Sequence, residues 1–172
     1  MGVHRLVPAN AVAYRELMLE AYERHPDAFT SSAAERSALP LSWWEARLSE
    51  VPQASDVVLG TFHEERLIGV VGLSFQTREK AKHKATLFGM YVPAEFRHRG
   101  LGRKLVWAAL QYAQSRPGAK IVQLTVTQGN VTAQALYVQC GFIEFGLEPF
   151  AVAVGTQFVS KVHMWRTLDS HA

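Results

Sequence analysis

The chain holds 172 residues, 48% hydrophobic and 19% charged, with a net charge of +3. That is the make-up of a soluble globular protein, and one domain over residues 1–172 is the default for this length. No apolar run reaches the ~20 residues that span a bilayer, residues 1–6 carry no signal-peptide core, and Cys140 is the sole cysteine, so no intrachain disulfide can form; the expectation is a cytoplasmic protein with no membrane partner.

Val3 to Val7 reads as a short strand. Pro8-Ala9-Asn10 opens a helix with Asn10 as its N-cap. Tyr14, Leu17, Met18, Ala21 and Tyr22 form its apolar stripe at i, i+3, i+4, i+7 and i+8. Pro26 ends it near His25. Residues 26–40 read as a loop with room for one helical turn. Phe29 within it is either an anchor packed on the core, the commoner role, or part of a substrate lid. Leu41 to Leu48 is a second helix, closed by Pro52, and its Trp43-Trp44 pair reads as packing. Val57 to Phe62 and Leu67 to Phe75 form a hairpin around the polar turn 63–66. Gly69 and Gly72 mark a bulge or a close approach in the returning strand.

After a basic connection over 78–83, Lys84 to Val92 is the third strand of an antiparallel meander. Pro93 stops it. A basic loop with glycines at 100 and 102 leads into a helix whose Leu101, Leu105, Ala109 and Ala113 share one side. Pro117-Gly118 ends that helix near Ser115. Strand, glycine loop and helix together aim free backbone N–H groups at a phosphate. Gly100 and Gly102 let an anion approach the chain closely. The helix N-terminus adds about half a positive charge; Arg97, Arg99, Arg103 and Lys104 add full ones, and His98 one more when protonated.

The loop is not a Walker A motif, because Gly102 is followed by Arg103-Lys104-Leu105. It is not a dinucleotide fingerprint either, because the third glycine is missing. Read without a ligand, it is a basic, glycine-hinged loop capping a helix. Residues 78–104 carry eight Lys/Arg against Glu79 and Glu95. Nucleic acid is the usual partner of such a patch. No interleaved aromatic platform or reader motif accompanies it, and a small polyanionic cofactor satisfies the same field.

Ile121 to Val126 is the next strand, so strand–helix–strand implies a parallel pair with a right-handed crossover. The loop then sits at the carboxyl end of the first parallel strand, where ligands of open sheets bind. Asn130 fits the N-cap of a following helix, Tyr137 lies two turns on along the same face, and Gly141 suits the C′ position. Phe150–Val154 and Phe158–Trp165 supply two last strands, joined by the turn 155–157.

Arg97-x-x-Gly100-x-Gly102 after one strand, and Asn130-x-x-Ala133-x-x-x-Tyr137 with Gly141-Phe142 after the next, resemble the paired motifs of the GNAT superfamily of N-acetyltransferases. The resemblance implies an α/β fold: a mixed, mostly antiparallel central sheet, helices on both faces, and a splayed parallel strand pair forming the coenzyme A slot. It implies acetyl-CoA as co-substrate, no metal, and direct transfer of the acetyl group from the thioester to a primary amine of a small molecule or protein. Backbone groups of Met90, Tyr91 and Val92 would flank the pantetheine, and an N–H among them would meet the developing oxyanion. Arg97, His98, Arg99, Gly100, Leu101, Gly102 and Arg103 would hold the pyrophosphate. Asn130 would bond the pantetheine arm, and Tyr137 would give its phenolic proton to the departing sulfur.

In one respect the chain departs from the family pattern. Many members carry a Glu on the strand before the loop; Lys84 to Gly89 offer none. That leaves His83, Gln123 or Thr125 acting through water, or a carboxylate of the N-terminal helices, with a water relay favoured and no residue assigned. Cys140 reads as a buried helix-end residue. The gap also supports an alternative: a non-catalytic, coenzyme A-binding sensor or interaction module. The acceptor is not readable, although eight acidic against five basic residues in the first 60 favour a cationic amine. The resemblance allows a homodimer and calls for no nucleic acid.

Overall fold

The apolar runs become seven strands and five helices. In the computed structural model, which describes residues 2–169, the strands are β1 (Val3–Arg5), β2 (Asp56–His63), β3 (Arg66–Phe75), β4 (Lys84–Tyr91), β5 (Ile121–Thr127), β6 (Ile143–Val154) and β7 (Gln157–Thr167). The helices are α1 (Ala11–Arg24), α2 (Ala33–Ser37), α3 (Leu41–Arg47), α4 (Leu101–Ser115) and α5 (Val131–Gln139). Residue 1 and residues 170–172, the ends of the expected domain, lie outside the described residues. The strands form one sheet in the order β1-β2-β3-β4-β5-β7-β6. Only β4 and β5 run parallel; the other neighbours are antiparallel. This is the mixed α/β architecture that the sequence resemblance implied.

Side chains alternate across a strand, and both faces of this sheet are covered. Val57, Leu59, Val71 and Leu87 pack with Leu101, Leu105, Ala109 and Ala113 of α4 on one face. Val58, Leu67, Val70 and Tyr91 pack with the α1 stripe and with Trp44 and Leu48 on the other. All five residues of that stripe are buried. Trp44 is fully enclosed and meets Trp43 edge to face at 5.0 Å.

Three local expectations change. Asn10 stands before α1, but its Oδ1 accepts from the Val7 N–H at 2.9 Å instead of capping the helix; a short 3-10 turn over Pro8–Asn10 brings it back toward Val7. β6 begins at Ile143, earlier than its sequence suggests, because an edge strand tolerates the break at Pro149 as an irregularity between Glu148 and Val152. The third change is in β4. Val70 faces Tyr91 while Gly72 faces Phe88, so two steps on β3 span three on β4. The extra residue is a bulge at Gly89 and Met90, with Gly89 at φ +57°. Gly72, expected to mark a bulge or close approach, makes room for the Phe88 ring: a Cβ there would lie 2.4 Å from the ring tip. Gly69 adjoins a separate bulge on β3, opposite Thr61 and Phe62.

Candidate active site

β4 and β5 pair through only three residues each: Lys84 with Ile121, Ala85 with Val122, and Thr86 with Gln123. Beyond them the strands part. Gly89 and Met90, in the bulge, have no register partner on β3 or β5. Their peptide groups thus stand outside the regular ladder, at the place where a ligand in the cleft would meet backbone. The gap opens into a cleft of about 300 Å³. Phe88, Gly89 and Met90 line it from β4, Thr125 and Thr127 from β5, and Asn130, Ala133 and Tyr137 from α5 and its cap.

The 97–103 loop leads into the N-terminus of α4. Gly100 is the N-cap, at φ +75°, and His98 also has positive φ, +62°. Among the described residues, none accepts from the backbone N–H groups of His98, Arg99, Gly100, Leu101, Gly102 or Arg103. Six unpartnered amides with a helix dipole behind them are an arrangement that can receive an anion. Gly102 lets α4 pack on α5, since a Cβ there would sit 3.1 Å from Leu136 Cδ2. A diphosphate therefore fits the residues present.

Arg97 behaves differently from the expected phosphate contact. Its N–H bonds the Ala94 carbonyl at 3.2 Å, its Nε donates to the Val92 carbonyl at 2.9 Å and its Nη2 lies 3.1 Å from His25 Nε2. Burial, then the Arg97 charge, holds His25 below the ordinary histidine range; a neutral His25 accepts from Arg97. The guanidinium thus ties the loop to the end of β4 and to α1. Arg99 and Arg103 are exposed. Leu101 is buried under α4 and offers only its N–H.

Of the β4 residues, Met90 lines the cleft, whereas the Tyr91 and Val92 side chains point into the two opposite cores and leave only backbone to a ligand. Asn130 caps α5, its Oδ1 accepting from Ala133 N–H at 3.3 Å, which frees its Nδ2 to donate. Tyr137 is 7% exposed and packs edge to face on Phe142 at 5.9 Å. Burial, reinforced by Cys140, raises its pKa well above the usual phenol value. Its hydroxyl has no partner among the described residues, so a protonated phenol faces the cleft. Cys140 is enclosed at the end of α5 with its thiol pushed up by burial, as expected of an inert residue.

The candidate bases separate. His83 is exposed at the far end of β4, where its carbonyl accepts from Lys120 and Ile121. Gln123 lies on the paired part of β5, outside the cleft, while Thr125 lines it. Among the described residues no carboxylate lines the cleft. The acidic excess of the first 60 residues is not expressed there: the wall given by the N-terminal segments carries Arg36 and Arg47, and β7 adds Lys161. Phe29 also lines the cleft, edge to face on Tyr22 at 5.4 Å, so it is both an anchor and a wall. Sequence reading missed Arg36, Arg47 and Lys161. The available signal was two arginines flanking Trp43 at 36 and 47, with no acid four residues away to pair Arg47 in its helix.

A family model described as the acetyltransferase (GNAT) family matches residues 13–142. The chain belongs to this family. Human N-acetyltransferase 8 is 30% identical over 108 residues, a match covering 62% of this chain and 47% of that protein; the chain thus spans about half the length of that relative. A GNAT-family acetyltransferase from Streptococcus pneumoniae superposes with a TM-score of 0.87 at 20% identity, over 96% of this chain and 98% of that one. A putative acetyltransferase from Salmonella typhimurium, solved with its cofactor acetyl-CoA, gives 0.80 at 21% identity, over 100% and 96%. These structural matches establish a shared GNAT fold, and the family match supports acetyl transfer as the general reaction.

Proposed function

We propose that the protein is an acetyl-CoA-dependent N-acetyltransferase that moves the acetyl group directly from the thioester to a primary amine, and that residues 1–172 act as one catalytic domain. The observation that carries this reading is the parted strand pair. β4 and β5 separate after Thr86 and Gln123, Gly89 and Met90 lose their partners, and Asn130 and Tyr137 line the same gap. An extended pantetheine arm would pair with β4 as an added strand, and its diphosphate would rest on the amides of residues 98–103.

Acetyl-CoA supplies an activated carbonyl; the chain supplies position and proton control. The Met90 N–H would donate to the carbonyl oxygen as negative charge develops, a contribution of ~2.7–4 kcal/mol for such a donor. As the C–N bond forms and the C–S bond breaks, Tyr137 gives its proton to the sulfur. The amine's proton leaves through water held near Thr125. With no carboxylate lining the cleft among the described residues, the deprotonated amine is favoured by another means: Arg36, Arg47 and Lys161 disfavour an ammonium ion beside them.

The same absence of a lining carboxylate among the described residues favours a second reading, a coenzyme A-binding module without turnover. Thiol release from acetyl-CoA over a panel of amines, alongside calorimetry with coenzyme A, separates the two. Amine-dependent thiol release supports the transferase. Tight binding with no release over the panel supports the module. Absence of binding refutes both.

A further inference from the structure

We propose that the acceptor is an amino acid, an amine that also carries a carboxylate, and that Arg36, Arg47 and Lys161 hold that carboxylate. The inference rests on the acetyl-transfer reading above and assigns its acceptor class.

The three cations form a connected wall. Lys161 Nζ donates to Thr30 Oγ1 at 3.3 Å, and the next residue, Ser31, accepts from Arg36 Nη2 at 2.7 Å. The Arg36 guanidinium lies 4.4 Å from the Trp43 ring centre, and Arg47 lies 5.1 Å from the same ring. Arg47 also sits 4.6 Å from the Phe88 ring centre. Phe88 precedes the β4 bulge, so the cationic wall ends beside the reacting end of the cleft.

None of the three is in an ion pair among the described residues. Glu148 is cross-strand from Lys161, but its Oε1 is engaged by His163 at 2.8 Å. The two guanidiniums lie against aromatic rings, which leave their charge unneutralised; the Tyr22 hydroxyl also engages Arg47, and the other N–H groups can donate. Half-buried charges without a counter-ion are costly, and an incoming carboxylate removes that cost. Burial holds Lys161 below its ordinary range, with Glu148 opposing, which signals the same unmet demand.

The geometry also narrows the acceptor. Arg47, on the Phe88 ring, lines the same cleft of about 300 Å³ as Gly89 and Met90, so a compact acceptor with its carboxylate close to its amine, as in an α-amino acid, fits better than a polyamine. Tyr22, Phe29 and Phe88 supply an apolar wall for its side chain.

The test is equilibrium binding to the coenzyme A-saturated protein, read by calorimetry with matched pairs: L-leucine and L-phenylalanine against their amides. Each acid should bind about tenfold or more tightly than its amide, the effect of a charge-assisted contact. Arg47→Gln and Arg36→Gln should each erase the difference while coenzyme A affinity stays within twofold. In turnover, the acids should be acetylated in preference to the amides and to spermidine. Equal binding of acid and amide by the wild-type protein overturns the proposal without any variant. So does a variant that weakens coenzyme A and leaves the acid preference intact, since the cations would then serve the cofactor. Failure of coenzyme A itself to bind overturns instead the transferase reading on which the proposal stands.

Discussion

Tyr137→Phe separates a catalytic phenol from a packed one. The ring stays, so the edge-to-face contact with Phe142 at 5.9 Å is kept. The hydroxyl has no partner among the described residues, so its removal breaks no hydrogen bond and relieves the desolvation of a buried polar group. The variant should therefore be at least as stable as the wild type, within about 0.5 kcal/mol, since such truncations lack any large destabilising mechanism. Turnover should behave oppositely. A positioned general acid contributes ~10²–10⁴-fold, so kcat should fall by about a hundredfold or more, with little change in acetyl-CoA affinity.

The pH profile sharpens the test. Because the Tyr137 pKa is raised above the ordinary phenol value, its proton is in place throughout neutral and mildly alkaline pH. No loss of kcat from its ionisation should appear below about pH 10, the unperturbed value. Single-turnover thiol release at several pH values, with thermal melts on the same samples, reads both quantities. A variant whose kcat stays within threefold of wild type across that range would refute the acid assignment. A variant that loses kcat and stability together would show Tyr137 to be a packing residue.

Three further outcomes are expected. Gly100→Val meets no atom within 4 Å at the new Cβ, but φ is +75°; the left-handed backbone costs a β-branched residue ~1–2 kcal/mol, and coenzyme A affinity by calorimetry should drop about tenfold as the amides turn away. Arg97→Ala should raise the His25 pKa toward its ordinary value, since the Arg97 charge helps depress it, and should weaken coenzyme A by loosening the loop; an unmoved His25 titration by NMR would contradict the tether. Tyr14 is pushed up to about 12 by burial, so the folded state holds its proton more tightly than the unfolded chain. Stability should hold below pH 10 and fall as pH rises toward 12, by up to about 3 kcal/mol for that two-unit difference; Tyr14→Phe should show a shallower alkaline decline in denaturant titrations.

Periodicity made most of the elements legible. The α1 stripe, the β2–β3 hairpin and the parallel crossing all rest on spacing that survives folding, because burial enforces it. The β4 bulge did not announce itself, since Leu87-Phe88-Gly89-Met90 is as apolar as an unbroken strand and Gly89 alone marks it. β6 was shortened by Pro149, which an edge strand accommodates and a central one would not. At the site, Asn130 and Tyr137 were singled out by the resemblance of their motif to the GNAT pattern, since an Asn cap and a packed Tyr at helical spacing are commonplace on their own. The cationic wall was not, because Arg36, Arg47 and Lys161 lie on three elements whose convergence is purely tertiary. Summing charge over the first 60 residues pointed the opposite way; net charge says little about which side chains face a cleft.

Left-handed backbone occurs at several turns of the chain, Glu64, Phe150 and Gly155 among them, and three such residues lie beside the expected ligand. They are Gly89 at φ +57°, inside β4, and His98 at +62° and Gly100 at +75°, between β4 and α4. Elsewhere in that stretch local preference and fold agree, so strain here is better read as a requirement of the site than as a defect. His98 is the informative case. A non-glycine residue in this region costs ~1–2 kcal/mol, and it persists because its neighbour is fixed: Arg97 is tied by its backbone to Ala94 and by its side chain to Val92 and His25. Arg97 is held on one side of His98 and α4 follows on the other, and the amides from His98 to Arg103 have no acceptor among the described residues. The expected anion site is thus framed by a tether beside it as much as by the glycines within it.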